Sequence, residues 1–515
     1  MQRRRLVSIT LASLALSPAF ACSDDGSNDD EVGDTTAGDG DGDTTTAGDG
    51  DGDTTTAGDG DGDTTTAGDG DGDLTCTTMP GDHAAATCTG GECPIVTDVL
   101  LACNDSEFSD PGLRVAATAE QAWLVTASSN TAILLEASGD QGSTSDLPAS
   151  MIRTTALLAQ DQDGAVVLAT DTTVFEGYAG GLTYYRRDQG AWVEELVFDL
   201  PDKYVRNYDL ELAADGTAHL WFEDDPPESF EHATRQGPDS WTHEDSVPGN
   251  PGSWTRWTLD LAGVPIGFSF AGDFGGWQLE TRIAGVDAPI GSPLADFAPL
   301  AYRPVSPAVP ATLAPVPSFA VVVQHEDSLR VAWPNEGLGP EAWFEFALPE
   351  TPLAAFNCSP GDPYVDCGPD CHEQTLGLDQ AGFGVSQTSD GRLWLAWVET
   401  NYDLTFHYTQ DCGEPPSTEC YCNSEVVQDD STATLRVASF DFADQSLVEV
   451  LELPIPPLQQ INLFGGPPDN ARLVDARAYD DQLAIGLRLR GQDPEDPEDP
   501  IPRVVRLLQV DTSGL

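Results

Sequence analysis

A recurring hairpin signal constrains the fold of this chain more than any other feature of its sequence. Asp-Gly dipeptides stand between alternating apolar runs in LLAQDQDGAVVLATD at 157–171, LELAADGTAHLWFEDD at 210–225 and GVSQTSDGRLWLAWVET at 384–400. An Asp-Gly pair flanked by such runs is the strongest short-range signal for an antiparallel hairpin. Weaker examples of the same pattern lie near residues 120, 262, 327 and 481.

The spacing of these hairpins predicts how they assemble. They lie roughly 45–60 residues apart, except where cysteine- or proline-rich insertions widen the gap. Periods of about 40–50 residues with four strands each are typical of propeller blades. A histidine follows the glycine by sixteen residues in two copies, at His232 and His407, which indicates duplicated units. We predict an all-β chain with one closed β-propeller of about seven four-stranded blades over residues 113–515. Residues 503–512 are expected to complete the blade that residues 113–120 begin, and two β-sandwich domains are the alternative.

The repeated unit resembles that of secreted bacterial propellers, in which an Asp-Gly turn and a tyrosine or histidine precede a G-x-W step. Trp192 occupies that last position after Gly190, and Trp241 follows Gly237 by four residues. The chain is also distantly similar to sialidase-like propellers, because residues 138–145 match their S-x-D-x-G-x-T-W turn except that Ser145 replaces Trp. That resemblance implies a glycan site at a propeller mouth, with clustered arginines, a tyrosine–glutamate pair and an aspartate. The arginine-Ile-Pro motif of that family is missing, and Arg282-Ile-Ala is the nearest string.

The N-terminus has the features of an export signal that ends at a lipidated cysteine. Three arginines precede the apolar stretch 6–16, which is too short to span a bilayer and suits a secretory signal. Ala19-Phe-Ala-Cys22 resembles the lipobox of bacterial lipoproteins, although Ala19 replaces the usual leucine. We predict that residues 1–21 are removed and that Cys22 is acylated; a signal peptide cleaved without lipidation is the alternative. Ser23 stands where lipoproteins of the inner membrane usually have Asp, so the outer membrane is the expected location.

Residues 22–73 are predicted to be a disordered tether. TTTAGDGDGD repeats with a ten-residue period and offers only Ala and Thr as less polar residues, so there is no apolar surface to offset the entropy of ordering. Asp39, Asp41 and Asp43 match the first oxygens of an EF-hand calcium loop. The required glycine and the glutamate at position 12 are replaced by Thr44 and Gly50, so only weak calcium binding is expected.

The other ten cysteines form two sets with even numbers, which predicts local disulfides in an oxidising compartment. The first set would stabilise a small strap at 74–112. The second set lies in insertions at 358–371 and 412–422, which we expect to meet in one lobe. No paired C-x-x-C motifs favour zinc. The disulfide candidates are Cys76, Cys88, Cys93, Cys103, Cys358, Cys367, Cys371, Cys412, Cys420 and Cys422.

Charge excludes one class of partner. The chain has 87 acidic and 22 basic residues, a formal net charge of −65, and this field repels nucleic acid. The sequence contains no HExxH, G-x-S-x-G or P-loop motif, so no catalytic residue, metal ligand or cofactor is predicted.

Several polar and aromatic groups have structural rather than functional interpretations. Residues 184–187 (YYRR) alternate across a strand, so at most two side chains share a face. The two HED strings at 243–245 and 325–327 are interpreted as exposed polar residues. The recurrent tryptophans are expected to pack between blades: Trp192, Trp221, Trp241, Trp394 and Trp397.

Together these features predict a lipoprotein with a propeller that binds a ligand or serves a structural role without catalysis. The expected partners are the membrane, through the lipid anchor, and an extracellular glycan or protein. The alternative is a sialidase-like or other glycan-cleaving enzyme whose active site at the propeller mouth combines residues from several blades. Carboxylates and arginines that converge at one mouth would be the distinguishing feature.

Overall fold

A computed structural model gives the three-dimensional structure of the chain. The described residues belong to one compact unit, Gly68–Leu515. Within the described ranges no helix is long and apolar enough to cross a membrane. The structure describes residues 76–103, 113–127, 132–146, 156–160, 166–171, 180–188, 191–200, 205–213, 215–224, 230–247, 256–259, 264–271, 278–283, 290–291, 301–305, 320–325, 328–334, 343–347, 367–388, 392–412, 420–442, 444–455, 474–490 and 503–515.

The described part of the chain is all β, as predicted, and its regular elements are 31 strands in seven antiparallel sheets. Three strands precede the first complete sheet. They are β1 (Cys76–Pro80), β2 (Thr87–Cys88) and β3 (Ile95–Cys103).

Sheets 1 to 3 are four-stranded meanders in which consecutive strands pair. Sheet 1 contains β4 (Arg114–Ala117), β5 (Ala122–Ala127), β6 (Ala132–Ser138) and β7 (Gln141–Asp146). Sheet 2 contains β8 (Ala156–Gln160), β9 (Val166–Asp171), β10 (Gly180–Asp188) and β11 (Ala191–Leu200). Sheet 3 contains β12 (Val205–Leu212), β13 (Ala218–Asp224), β14 (Phe230–Gly237) and β15 (Ser240–Val247).

Sheets 4 and 5 repeat the same meander. Sheet 4 contains β16 (Arg256–Leu259), β17 (Pro265–Ala271), β18 (Gln278–Ile283) and β19 (Ile290–Gly291). Sheet 5 contains β20 (Ala301–Val305), β21 (Ala320–His325), β22 (Ser328–Pro334) and β23 (Trp343–Ala347).

The last two sheets incorporate the N-terminal strands. Sheet 6 has the order β2-β28-β27-β25-β24, with β26 paired to β25, and sheet 7 has the order β1-β3-β31-β30-β29. The bounds in sheet 6 are β24 (Cys371–Gln387), β25 (Leu393–Cys412), β26 (Cys420–Asp429), β27 (Thr432–Asp441) and β28 (Ser446–Ile455). The bounds in sheet 7 are β29 (Val474–Tyr479), β30 (Gln482–Arg490) and β31 (Arg503–Asp511).

Each of the seven sheets contains one of the hairpins expected from the sequence. We count the strands of each sheet along the chain, starting from β24 in sheet 6 and from β29 in sheet 7. In six sheets the hairpin joins the first strand to the second, as between β12 and β13, where Leu212 pairs with Ala218. In sheet 5 the hairpin joins the second strand to the third, where His325 pairs with Ser328. The periodicity of the hairpins therefore reflects one sheet per repeat.

The sixteen-residue step to a histidine, by contrast, does not mark equivalent positions. His232 lies on β14, the third strand of sheet 3, whereas His407 lies near the far end of β25, the second strand of sheet 6. The difference arises because β25 runs for 20 residues instead of turning back. This part of the evidence for duplication was wrong.

The seven sheets are arranged in a ring through their first strands. The contacts run from β4 to β8, β12, β16, β20, β24 and β29, and β29 contacts β4 again. Apolar clusters fill the spaces between neighbouring sheets; Leu182 and Tyr184 of sheet 2, for example, pack with Leu220 and Phe222 of sheet 3. Burial of these faces, rather than of one central core, stabilises the propeller-like arrangement.

The N-terminal strands β1 and β3 and the C-terminal strand β31 meet in sheet 7. β31 pairs with β3 and β30, not with residues 113–120, so that part of the prediction was wrong. The physical reason is that β3 offers a longer apolar strand, buried at Val99, Leu101 and Cys103. The segment predicted as a separate strap thus supplies strands to sheets 6 and 7.

A buried ion pair fixes this closure, and a disulfide links the two N-terminal strands of sheet 7. The Arg506 guanidinium donates to both carboxylate oxygens of Asp98 at 2.8 and 2.6 Å, and His83 contacts the same carboxylate at 3.0 Å. Cys76 and Cys103 form a disulfide between β1 and β3. β3 and the C-terminal strand β31 are therefore joined by a hydrogen-bonded ladder and a buried charge pair, and the disulfide links β1 to β3 within the same sheet.

The second cysteine set holds a lobe that extends from sheet 6. The lobe consists of the first half of β24, the second half of β25 and β26. Disulfides link Cys367 to Cys422 and Cys412 to Cys420, so the two insertions meet there. Cys371 is also disulfide-bonded, whereas Cys22 and Cys358 lie outside the described residues. With Cys88–Cys93, four disulfides are described, all within one set or the other.

Candidate functional site

The first strands of the sheets carry charged residues at alternate positions. Asp209 and Glu211 lie two apart on β12, and Asp475 and Arg477 lie two apart on β29. Because successive side chains of a strand point to opposite faces, each pair projects from one face of its sheet. Both strands belong to the ring of first strands, so the sequence places charge where the seven sheets face one another.

An ion pair joins two sheets that are not neighbours in the ring. Arg477 Nη2 donates to Glu211 Oε2 at 2.9 Å, with exposed side-chain fractions of 29% and 21%. Sheets 1 and 2 separate sheet 7 from sheet 3 on one side of the ring, and three sheets separate them on the other. The contact therefore crosses the axis around which the first strands lie. We call Glu211, Arg477, Asp209, Asp475 and Arg114 the axial cluster.

The two aspartates of the axial cluster attach one sheet to the next. Asp209 Oδ2 accepts a hydrogen bond from the backbone N–H of Trp257 at 2.9 Å, which joins sheet 3 to sheet 4. Asp475 Oδ2 accepts from the N–H of Val115 at 3.0 Å, which joins sheet 7 to sheet 1. Each donor is the second residue in the first strand of the following sheet. The two bonds are thus equivalent, and they satisfy backbone donors that burial would leave unpaired.

A serine makes a related bond between sheets 6 and 7. Ser386 Oγ accepts from the N–H of Ala478 at 2.7 Å. Nearby, a Cβ on Gly384 would lie 2.5 Å from the backbone nitrogen of Ala476, so only glycine permits the observed approach of β24 to β29. Side chains of first strands therefore hold neighbouring sheets together at three places in the described part of the ring.

Burial and neighbouring charges set the protonation of the axial cluster. Desolvation raises the pKa of the Glu211 carboxyl above its usual value, Arg477 opposes this, Asp209 adds to it and Arg114 also opposes it. The negative charge of Glu211 raises the pKa of the Arg477 guanidinium, and burial opposes that increase. The cluster thus contains a permanently charged cation and a carboxyl group that accepts a proton more readily than an exposed glutamate.

This arrangement offers donors and acceptors close together at the ring axis. A guanidinium presents a planar fork of N–H donors, and carboxylates accept from hydroxyl groups. A glutamate with a raised pKa is also a potential proton donor. The chemistry suits a ligand with several hydroxyl groups, either bound intact or protonated at one oxygen.

The tyrosine–arginine string at 184–187 lies away from the axis, on the third strand of sheet 2. Tyr184 and Tyr185 are both buried. Arg235 donates to both oxygens of Glu195 at 2.8 and 2.7 Å and lies over the Tyr184 ring. Tyr184, Glu195 and Arg235 thus resemble a catalytic combination in composition, but their burial between outer strands indicates packing.

Other sequence predictions also fall on structural positions. The degenerate box at 138–145 forms the turn between β6 and β7, with exposed Asp140 at its tip. His243 and Glu244 are exposed on the outer strand β15, whereas the side chains of residues 325–327 lie outside the description. Trp221, Trp394 and Trp397 are buried, and Trp192 and Trp241 are half-buried on the fourth strands of sheets 2 and 3.

Over the described residues, no group of three or more His, Cys, Asp or Glu side chains could hold a metal ion. Sequence reasoning did not identify the axial cluster. The available signal was weak: a short alternation, D-L-E in YDLEL and D-A-R in VDARA, beside the first hairpin of two repeats. Acidic residues are so frequent in this chain that the pattern stands out only after the strands have been aligned.

Comparison with known proteins assigns no family. No protein-family model matches the chain, and no curated protein matches it. Among solved structures, an α-L-arabinanase of Penicillium chrysogenum complexed with arabinobiose shares 12% identity over 60% of this chain and 94% of its own, with a TM-score of 0.36. The polysaccharide lyase Uly1 shares 10% identity over 79% and 93%, with a TM-score of 0.35. The GH93 α-L-arabinofuranosidase of Fusarium graminearum shares 10% over 78% and 97%, with a TM-score of 0.30. Similarity at this level carries no conclusion about function, and the fold description rests on the sheets themselves.

Proposed function

We propose that the seven sheets form a closed seven-bladed propeller which binds a polyhydroxylated ligand, such as a glycan, at the axial cluster without cleaving it. The observation that supports this most directly is the Glu211–Arg477 pair across the ring. It places a guanidinium fork beside carboxylates contributed by separate sheets. A rigid ring that presents polar groups from several blades at one point is a common architecture for ligand recognition.

The partners of the carboxylates favour binding over hydrolysis. Glycoside cleavage normally requires two carboxyl groups that flank the scissile bond, one as acid and one as base or nucleophile. Asp209 and Asp475 instead accept backbone hydrogen bonds between sheets, and Glu211 faces Arg477. A carboxylate engaged in holding two sheets together is a poor candidate for a second catalytic group.

A glycan-cleaving enzyme is the second candidate. The observation that favours it is the raised pKa of Glu211, which has Asp209 two residues away on the same face of β12. A protonated glutamate beside an ionised aspartate is the composition of an acid–base pair. In this candidate the aspartate would have both a structural and a catalytic role.

Glycan arrays, combined with fluorogenic glycoside substrates, separate the two candidates. We expect binding by the wild-type protein, loss of that binding in Arg477→Met, and no turnover. Glu425→Gln, an exposed carboxylate on the lobe, serves as the matched control and should bind normally. Hydrolysis of a glycoside that disappears in Glu211→Gln would replace the binding proposal with the enzymatic one. Binding that survives both axial substitutions would place the ligand elsewhere.

We also propose that acylated Cys22 anchors the protein in the outer membrane and that residues 23–73 act as a flexible acidic tether. The lipobox-like sequence and the repeat composition support this. As a Gly-rich coil the tether would have a root-mean-square length of roughly 40 Å. Cys22→Ser should release the protein from the membrane fraction. Membrane retention of that variant without acylation would contradict the anchor.

A further inference from the structure

A line of titratable residues crosses sheet 3 on the side that faces sheet 4. Strand pairing places Glu211 opposite His219 and Trp221 opposite His232, and His232 lies opposite Glu244. Directly paired residues project from the same face of a sheet. The line therefore begins at the axial cluster and ends at the exposed outer strand.

Its centre is a buried pair of imidazoles beside the indole ring of Trp221. His219 Nδ1 lies 3.0 Å from His232 Nε2, and the two residues are 8% and 5% exposed. The His232 ring stacks on Trp221 with centroids 4.9 Å apart, and Trp221 stacks on Trp257 of sheet 4 at 5.5 Å. The pair therefore belongs to the packing between sheets 3 and 4.

The geometry requires one imidazole to accept a hydrogen bond from the other. His232 Nδ1 lies 3.5 Å from the Glu244 carboxylate, so the N–H of His232 points outward. Its Nε2 then accepts from the Nδ1–H of His219, and the Thr234 hydroxyl lies 3.3 Å from the same nitrogen. This arrangement needs a neutral His232, because an imidazolium has no acceptor nitrogen.

Burial disfavours the charged forms of both residues. Desolvation, together with the charge on His232, lowers the pKa of His219 to about 4, against a small opposing effect of Asp215. Desolvation also lowers the pKa of His232, and Glu244 opposes that shift. The other charged group that faces His219 is Glu211, directly opposite on β12, whereas Trp257 and Leu259 of sheet 4 are uncharged.

We propose that the His219–His232 pair makes the joint between sheets 3 and 4 an acid-sensitive switch, which is closed while both rings are neutral and loosens when they are protonated. Two imidazolium groups would face each other across 3.0 Å beside the stacked indoles of Trp221 and Trp257. Water would relieve that repulsion only if the interface opened. The opening would also disturb the Asp209–Trp257 bond, which lies in the same joint.

The direction of the pH effect follows from these shifts. The folded pKa of His219 lies below that of an exposed histidine, so the opened state binds more protons between about pH 6.5 and 4. The stability of the closed joint is therefore complete above about pH 6.5 and is lost as the pH falls towards 4. For His219 alone, the opening equilibrium should rise roughly twentyfold between pH 7 and pH 5.

Hydrogen exchange measured by mass spectrometry can test this, because the joint between sheets 7 and 1 is an internal control. That joint has the equivalent Asp475–Val115 bond, but residues 113–127 and 474–490 contain no histidine. After correction for intrinsic rates, we expect faster exchange at pH 5 than at pH 7 in 205–224 and 256–259, with little change in the control joint. Equal changes in both joints, or none in either, would overturn the proposal.

Substitution of His219 by Gln should remove most of the pH dependence at the joint between sheets 3 and 4. His243→Gln, on the exposed outer strand, is the matched control and should leave the dependence unchanged. If His219→Gln does not fold, titration of the wild-type imidazoles by NMR still decides the matter. Two buried histidines that remain neutral at pH 5.5 would support the switch, whereas ordinary titration of all histidines near pH 6.5 would contradict it.

Discussion

The joint between sheets 3 and 4 and the joint between sheets 7 and 1 use the same backbone connection with different side chains. In both joints, an aspartate on the first strand of one sheet accepts a hydrogen bond from a backbone N–H of the following sheet. The donor is the second residue of that sheet's first strand. The 3–4 joint then packs Trp221 on Trp257 beside two histidines. The 7–1 joint packs aliphatic residues, and the difference shows that a repeated polar connection can hold neighbouring sheets whose packing differs completely.

In the aliphatic joint between sheets 7 and 1, a glycine allows the two sheets to pack closely. A Cβ on Gly486 would lie 2.6 Å from Val115 Cγ1, and both Leu113 and Leu124 would be 3.2 Å away. The aromatic joint uses a glycine differently: Gly267 lies beneath the Trp257 ring within sheet 4. A glycine thus allows aliphatic side chains of sheets 7 and 1 to approach closely, whereas stacked indole rings fill the joint between sheets 3 and 4 beside two histidines.

The largest expected effect comes from removing the aromatic centre of the 3–4 joint. Trp257→Ala deletes a buried ring that stacks on Trp221, and large-to-small changes of this kind cost about 3–5 kcal/mol of unfolding free energy. Val115→Ala, at the equivalent position, removes far less buried surface and should cost about 1–2 kcal/mol. Chemical denaturation of both variants measures the difference. Equal losses would mean that the joints depend on the backbone connection more than on their packing.

The aspartate bonds should matter equally in both joints. Asp209→Ala and Asp475→Ala each leave a buried backbone N–H without its acceptor, at a cost of about 1–3 kcal/mol. Asp209→Asn and Asp475→Asn retain an acceptor oxygen and should recover most of the loss. Thermal or denaturant unfolding of the four variants provides the measurement. A large loss in only one alanine variant would show that the two bonds are not equivalent.

The sequence predicted the repeated sheets because the hairpin signal is local. Asp215-Gly216 forms its turn with a positive φ at Gly216, as an Asp-Gly dipeptide permits. Closure of sheet 7 depends instead on which distant strand competes best for β31, and pairs so far apart in sequence leave no local signal. The apolar strand β3 was therefore interpreted as part of a strap, although its burial shows a central strand.

The candidate site was harder to predict for the same reason. Glu211 and Arg477 are separated by 266 residues, and their proximity exists only once the ring has formed. Conversely, the local string Tyr184-Tyr185-Arg186 was interpreted from strand alternation as part of a blade strand, and both of its tyrosines are buried. In a ring of sheets, adjacency along the chain places residues on one blade, whereas a site at the axis needs residues from several.

The smallest expected effect concerns the ion pair that connects the two joints, and its two partners should respond differently. Because burial raises the pKa of Glu211, its ionised form costs stability at neutral pH, and this cost disappears as the pH falls below the ordinary glutamate range. Glu211→Gln should therefore change the unfolding free energy by less than about 1 kcal/mol at pH 7, since the lost attraction and the removed desolvation cost offset each other. Arg477→Met leaves Glu211 facing Asp209 without compensation and should cost about 1–2 kcal/mol. In the double variant Glu211→Gln/Arg477→Met, denaturant unfolding at pH 7 should recover part of that loss. A double variant less stable than Arg477→Met alone would show that Glu211 stabilises the ring independently of its arginine.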